Sequence, residues 1–206
     1  MKLLKKVSTR EVKRTFVIAN TIRVQKNGRK FLGKITREEF LKKFEQSKKK
    51  GLGMTTAKLD THIAEDPHRL RAYDESDWYL GEVTPGEVGV WQQAGGLPLS
   101  WTNKSLKDTA DKVRRALEKN PHAITKRARR VIPNMLATNI ELLQSEKCLF
   151  PIIFKSGTGT RGRKRLKYAL KGDIDDGCMR SIALAVHGAK VIRAYIGFPK
   201  KARAVH

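Results

Sequence analysis

The stretch Asp175-Asp176-Gly177-Cys178-Met179-Arg180-Ser181-Ile182-Ala183 decides how the C-terminal half of the chain is expected to fold. It follows a strand-like run and opens a helix-like run, and a short apolar strand comes after it. A glycine at such a strand-to-helix turn lets backbone N–H groups converge on an anion at the start of the helix. Two carboxylates, one thiol and one guanidinium lie within a single turn of that point. This stretch is therefore the first candidate for a chemical site.

Arg180 is the residue in this stretch that helix stability does not explain. Acidic residues before a helix are commonly caps, so Asp175 and Asp176 have a structural explanation as well as a catalytic one. A cation in the first helical turn opposes the helix dipole, and it makes sense beside a bound phosphate. Two interpretations of Cys178 stay open, a reactive thiolate at the helix start and a small buried residue.

The charge of the chain predicts its partner. The 206 residues carry a formal net charge of +24, and the isoelectric point is near 10.3. Such an excess predicts attraction to a polyanion, so DNA or RNA is the expected partner, with a ribosome-like structural role as the alternative. Residues 1–50 and 111–206 are strongly basic and flank a slightly acidic middle. The expected nucleic-acid contacts are Lys126, Arg127, Arg129, Arg130, Arg161, Arg163, Lys164 and Arg165.

The same composition argues against several other classes of protein. Two cysteines do not make a disulfide framework, and no apolar run reaches the roughly 20 residues of a bilayer span. The N-terminus is basic but lacks the apolar region of a signal peptide. We therefore expect a cytoplasmic or nucleoid-associated protein with no membrane partner. The sequence contains no CxxC or HExxH motif, so a zinc site is not expected. A dinucleotide site requires a helix after its GxGxxG pattern, and the pattern at 157–162 is not followed by one.

Residues 1–58 are predicted to form a basic β-hairpin–helix module. Strand-forming residues between Arg14 and Ile35 are interrupted by the turn sequence Lys26-Asn27-Gly28, which is typical of a hairpin. The segment Thr36–Glu39 is a capping box, and it should open a helix that buries Phe40, Leu41 and Phe44 and ends at the lysines before Gly51. Residues 59–74 are predicted to be a linker.

Residues 75–200 are predicted to form a second domain, so the fold class is α+β with a small mixed sheet. Its apolar runs alternate between strand-like and helix-like spacing. Ser105 and Asp108 together predict the start of one helix, and Pro121 the start of the next. The expected strands are 78–83, 148–154, 166–174 and 191–196, and the other expected helices are 55–64, 134–145 and 180–187.

The order of elements in residues 130–197 resembles the ParB/sulfiredoxin superfamily, whose hallmark is a glycine-x-x-arginine turn before an alanine-rich helix. The resemblance rests on Leu136–Ile140, Leu149–Ile153, Asp176–Ala183 and Gly188–Ile192. It implies that a nucleotide phosphate is cradled at the turn. By that resemblance Gly177 shapes the loop and Arg180 contacts phosphate. The backbone amides of Cys178, Met179, Arg180 and Ser181 would complete the site.

Several activities occur in this superfamily, namely CTP-binding DNA clamps, DNA nucleases, small-molecule kinases and sulfinic-acid reductases. The Gly177-Cys178-x-Arg180 pattern is similar to the sulfiredoxin signature, in which the cysteine is the nucleophile. Sulfiredoxins have histidine where this chain has Met179, and they are not strongly basic, so that activity is not expected. The chain also ends soon after its last strand, so a full partition protein with a following helix-turn-helix domain is not expected.

The leading hypothesis from the sequence is a ParB-like DNA nuclease. Asp175 and Asp176 would bind Mg²⁺ and activate water, with Cys178 as a further catalytic candidate and ATP or CTP at the turn. A non-catalytic DNA-binding regulator or inhibitor on the same fold is the first alternative. A kinase or nucleotide hydrolase is the second. The sequence leaves open whether the chain is an enzyme and which oligomer it forms.

Overall fold

The computed structural model describes residues 1–21, 36–125, 132, 140–158 and 170–200. Within these ranges the chain is a mixture of helices and strands, which confirms the predicted α+β class. The strands are β1 (Lys2–Val7), β2 (Ser76–Val83), β3 (Val88–Gly89), β4 (Ile152–Lys155), β5 (Gly172–Asp176) and β6 (Ile192–Pro199). The helices are α1 (Thr9–Thr21), α2 (Arg37–Leu52), α3 (Thr56–Ile63), α4 (Pro67–Asp74), α5 (Leu99–Thr102), α6 (Leu106–Lys119), α7 (Ile140–Ser145) and α8 (Cys178–Val186).

All six strands form one mixed sheet in the order β1-β2-β6-β4-β5-β3. The pairs β1–β2, β2–β6 and β4–β5 are antiparallel, whereas β4–β6 and β3–β5 are parallel. The chain reaches β6 from β5 through helix α8. The strand that carries the two aspartates therefore lies inside the sheet, between β4 and β3.

Both faces of the sheet are covered by helices. Side chains alternate along β4, so that Ile153 joins one hydrophobic core while Ile152 and Phe154 join the other. The first core includes residues of α6 and α8, and the second includes residues of α1, α3 and α4. Asp175 and Asp176 at the end of β5 are also buried, at the point where the pairing of β4 with β5 is irregular.

Contacts tie together the segments that the sequence divides into two domains and a linker. β1, from the first predicted domain, pairs with β2, and Lys6 lies opposite Tyr79. Lys13 on α1 is buried, and its Nζ lies 2.6 Å from Asp60 and 2.7 Å from Asp74. The predicted linker contains the end of α3 and all of α4. The domain boundaries themselves stay a prediction.

The predicted hairpin is wrong over its first strand, because residues 9–21 form helix α1. Ser8 Oγ accepts a hydrogen bond from the backbone N–H of Glu11 at 3.2 Å and so caps the helix. Val12 and Ile18 are fully buried. The β-branched residues favour a strand locally, but packing of one helical face overrides that preference. Residues 22–35, including the predicted Lys26–Gly28 turn, lie outside the described residues.

The helix starts predicted from capping residues are confirmed. Thr36 and Glu39 form a reciprocal capping box, with hydrogen bonds of 3.2 and 3.1 Å, and Ser105 forms another with Asp108. Of the predicted apolar face of α2, Phe44 is fully buried and Phe40 half-buried, whereas Leu41 stays exposed. The predicted helix end at Gly51 comes slightly too early, since α2 continues to Leu52.

The C-terminal elements are close to their predicted positions. Helix α3 lies inside 55–64, and β2, α8 and β6 confirm the predictions for 78–83, 180–187 and 191–196. The strand predicted from residue 148 begins only at Ile152, because Lys147–Leu149 form a 3₁₀ turn and Pro151 cannot donate to the sheet. Pro121 opens a 3₁₀ turn, and residues 126–131 and 133–139 lie outside the described ranges. No helix among the described residues is both long and apolar enough to cross a membrane.

Glu87 provides a prediction about acid stability. Its carboxylate accepts hydrogen bonds from Lys171 at 2.7 Å, from the amino group of Met1 and from the backbone N–H of Thr84. Burial favours the protonated acid, but these donors outweigh it and lower the pKa of Glu87 from 4.5 to about 2. The carboxylate therefore stabilises the fold fully above about pH 4.5 and progressively less as the pH falls towards 2.

We expect Glu87→Gln to lower the free energy of unfolding by about 1–2 kcal/mol at neutral pH, less than the full shift because Lys171 is largely exposed. Urea unfolding of both proteins between about pH 6 and about pH 3 measures this difference. The difference in the free energy of unfolding should become smaller as the pH falls towards about 3. A difference that stays constant with pH would contradict the assignment.

Candidate phosphate-binding turn

The turn between β5 and α8 is held in a conformation that only glycine adopts readily. Gly177 has φ +90°, in the left-handed region, and it directly precedes the first residue of α8. A Cβ at this position would lie 2.9 Å from Nη2 of Arg180 and 3.1 Å from Cα of Pro151. Glycine is therefore required here both by backbone conformation and by the close approach of the arginine.

The side chain of Arg180 folds back over this turn, towards the N-terminus of its own helix. Its Nη2 donates to Oδ2 of Asp176 at 2.6 Å. The exposed fractions of the two side chains are 6% and 5%. A buried ion pair of this kind satisfies both charges, and losing either partner would leave the other buried alone.

The turn also holds hydrogen-bond donors without acceptors. In the part of the chain that the structure describes, the buried Nε of Arg180 and the buried Oγ of Ser181 have no hydrogen-bond partner. Gly177 offers no side chain to cap the first N–H groups of α8. Buried donors of this kind are rare in native proteins, and the Arg180 guanidinium, which lies over the start of α8, suits an anion.

Asp175 belongs to a polar network with side chains of helix α4. Its Oδ2 accepts a hydrogen bond from Nε of Arg69 at 3.1 Å and another from the hydroxyl of Tyr73 at 3.3 Å. The guanidinium of Arg69 lies 5.0 Å from the centre of the Phe16 ring. Burial and the neighbouring Asp175 carboxylate raise the pKa of Tyr73 well above its usual value. This network joins α1, α4 and β5.

The residues present do not fit the Mg²⁺ ion expected from the sequence. Asp175 and Asp176 follow each other on a strand, and each makes an ion pair with a different arginine. Among the described residues no group of three or more His, Cys, Asp or Glu side chains is placed to hold a metal. A divalent cation needs several oxygen ligands converging on one point. The metal assignment stays a prediction that this geometry does not favour.

The two residues after Gly177 pack into the protein rather than over the turn. Met179 is buried against the loop before α5, where a Cβ on Gly95 would lie 2.4 Å from its sulfur. Cys178 is half-buried, and its Sγ accepts from the N–H of Trp91 at 3.5 Å and lies 3.6 Å from the carbonyl of Ile174. Only the backbone of Met179 can serve a phosphate site. The catalytic role predicted for Cys178 stays untested.

Sequence reasoning missed Arg69 and Tyr73, the partners of Asp175. They belong to α4, within the predicted linker, and Arg69 is 106 residues away from Asp175 in the sequence. No local pattern connects them. The residues predicted to contact nucleic acid lie outside the described residues, so that prediction also stays untested: Lys126, Arg127, Arg129, Arg130, Arg161, Arg163, Lys164 and Arg165.

Comparisons with known proteins give no match: no protein-family model, curated protein sequence or solved structure is significantly similar to this chain. The resemblance to the ParB/sulfiredoxin superfamily therefore rests on the residues of the turn and on the order of the flanking elements. The charge of the chain and the chemistry of the turn are the remaining indications of its function.

Proposed function

We propose that this chain is a nucleic-acid-binding protein, of the type that the ParB/sulfiredoxin resemblance implies, with a phosphate-binding turn at Gly177–Ser181. The observation that carries the proposal is the net charge of +24 on 206 residues. A charge of this size attracts nucleic acid at long range and binds its phosphates by releasing counterions. DNA is the partner that we favour, and RNA is tested beside it.

The turn supports the second half of the proposal. Arg180 holds its guanidinium at the N-terminus of α8, against Gly177, and its Nε and the Oγ of Ser181 are buried without acceptors among the described residues. These donors, together with the first N–H groups of α8, suit the oxygens of a phosphate. A nucleotide such as ATP or CTP is the class of ligand that would supply that group.

The geometry favours a binding protein over a nuclease. A metal-dependent nuclease needs carboxylates free to coordinate its ion, but Asp175 and Asp176 are each paired with an arginine. A nucleotide hydrolase or kinase would use the same turn and remains an outcome of the test. The regulator or inhibitor on this fold is therefore the form of the function that we propose.

The test is DNA binding measured against salt. Fluorescence anisotropy with a short labelled duplex should show an affinity that falls by about a thousandfold or more between about 50 and 200 mM salt. Replacing Arg127, Arg129 and Arg130 by alanine should weaken binding to all sequences and reduce the salt slope by about one for each arginine that binds a phosphate. Arg71→Ala is the matched control, because Arg71 is ion-paired with Glu75 in the acidic middle of the chain.

The other arms of the same experiment decide between the alternatives. Single-stranded RNA in place of the duplex identifies the preferred nucleic acid. Mg²⁺ with plasmid DNA detects cleavage, and ATP and CTP with a phosphate-release assay detect turnover. Cleavage abolished by Asp176→Ala in a folded protein would restore the nuclease hypothesis. Binding that is weak and independent of salt would overturn the proposal.

A further inference from the structure

Asp176 already pairs with the guanidinium that an anionic ligand at the turn would need. Its carboxylate accepts a hydrogen bond from Nη2 of Arg180 at 2.6 Å, and the pair is buried beside Gly177. A phosphate that binds Nη2 of this guanidinium has to displace the carboxylate. The Asp176 carboxylate thus competes with any ligand for the Arg180 guanidinium. A ligand that binds there has to be a better hydrogen-bond acceptor than this carboxylate.

The carboxylate leaves part of the donor set unused. A guanidinium has five N–H donors, and the Nε of Arg180 has no partner within the described ranges. The Oγ of Ser181, the next residue, is also buried without a hydrogen-bond partner among the described residues. An unmade hydrogen bond at a buried donor costs free energy, which a ligand with more acceptor oxygens would recover. These donors therefore favour the binding of an anion with more oxygens and more charge than a carboxylate.

From this geometry we infer that Asp176 makes the turn selective for a terminal phosphate and excludes the phosphodiesters of a nucleic-acid backbone. The inference rests on the proposed phosphate-binding turn. A diester carries one negative charge and two free oxygens, which is no more than the carboxylate that it would replace. A terminal phosphate carries a charge of about −1.5 to −2 and three acceptor oxygens. It can bind Arg180, Ser181 and the helix N–H groups together.

This selectivity separates two binding functions of one chain. The basic segments of the chain would bind the backbone of DNA through long-range, salt-dependent contacts, since those need no buried donor. The turn takes the phosphate end of a nucleotide, a pyrophosphate or a 5′-phosphorylated strand. Double-stranded DNA without a terminal phosphate should therefore leave the turn closed by Asp176.

Calorimetric titration with three probes tests the inference: adenosine 5′-monophosphate, its methyl ester, and inorganic pyrophosphate. The methyl ester differs from the monophosphate only in being a diester. We expect the full-length protein to bind pyrophosphate and the monophosphate but not the ester. Asp176→Asn should bind the first two at least about tenfold more tightly, because the competitor is gone. Asp173→Asn is the matched control, since it removes the same charge from the same strand, where its carboxylate contacts Gly157.

Loss of stability in Asp176→Asn is itself informative, because a buried arginine without its counterion should destabilise the fold. Pyrophosphate should then raise the melting temperature of this variant more than that of the unmodified protein. A second measurement needs no variant: the Nε–H resonance of Arg180 in NMR spectra should shift with pyrophosphate and not with the methyl ester.

The possible failures point to different conclusions. Equal or weaker affinity in Asp176→Asn, or equal binding of ester and monophosphate, would overturn the inference and leave the phosphate-binding turn intact. Probe binding that is unchanged in Arg180→Gln, with no shift of its resonance, would overturn the turn itself. DNA binding in anisotropy is a separate readout, so the nucleic-acid proposal stands or falls independently.

Discussion

Replacing Asp175 by alanine is expected to lower the free energy of unfolding by about 3–5 kcal/mol, which is the usual cost of removing one partner of a buried ion pair. Arg69 would keep its charge in the interior without the carboxylate, and the Tyr73 hydroxyl would lose the same acceptor. Urea denaturation followed by circular dichroism measures the change. Asp175→Asn, which keeps an acceptor oxygen but not the charge, should fall between alanine and the unmodified protein.

A matched substitution on the same strand separates the loss of the buried ion pair from the loss of any carboxylate on β5. Asp173→Ala removes a carboxylate that accepts hydrogen bonds from Ser156 and Gly157 at the surface, and it should cost about 1 kcal/mol. The nuclease hypothesis predicts a different pattern for Asp175→Ala, an intact fold with no cleavage of DNA. A folded, equally stable Asp175→Ala protein that lost Mg²⁺-dependent cleavage would show that our structural assignment is wrong.

Helix starts were predictable because their signals are local. The Thr36 and Glu39 pair and the Ser105 and Asp108 pair are each three residues apart, and each box forms as expected. The same signal is present at Ser8 and Glu11, just before the predicted hairpin. The β-branched residues that follow favour a strand, but the packing of α1 against the sheet decides the outcome.

The turn itself could also be predicted, but its electrostatic state could not. Gly177 after a strand and Arg180 in the next helical turn are visible in the sequence, and the structure brings them into contact. Arg180 and Asp176 are only four residues apart, yet sequence reasoning missed their pairing because two adjacent aspartates suggest a shared metal. In the structure a different arginine binds each of them, Arg69 from α4 for Asp175 and Arg180 from α8 for Asp176.

Contacts between distant segments set the remainder of the fold. The partner of Asp175 comes from α4, and Lys13 of α1 joins Asp60 and Asp74, both far along the chain. Charged residues in these positions look like an ordinary solvated surface in the sequence. Lys13, Arg69 and Asp175 are nevertheless buried, because helices cover both faces of the sheet, and that follows from its topology rather than from any local pattern.

Gly177→Ala is the second substitution with a large expected effect, a loss of about 3 kcal/mol in the free energy of unfolding. The left-handed backbone at φ +90° costs an alanine about 1–2 kcal/mol. The added Cβ would also meet Nη2 of Arg180 at 2.9 Å and Pro151 at 3.1 Å, and relieving such contacts in a packed interior costs a further 1–3 kcal/mol or so. Arg180 would have to move away from the turn, so binding of pyrophosphate should also weaken.

Gly188 at the other end of α8 supplies the control for this prediction. Its φ of +99° is similarly left-handed, but a Cβ there would meet nothing within 4 Å. Gly188→Ala should therefore show the backbone cost alone, about 1–2 kcal/mol, with pyrophosphate binding unchanged. The difference between the two variants isolates the close approach of Arg180 to Gly177. Equal losses of stability in both, with equal affinity for pyrophosphate, would mean that the guanidinium does not lie over the turn.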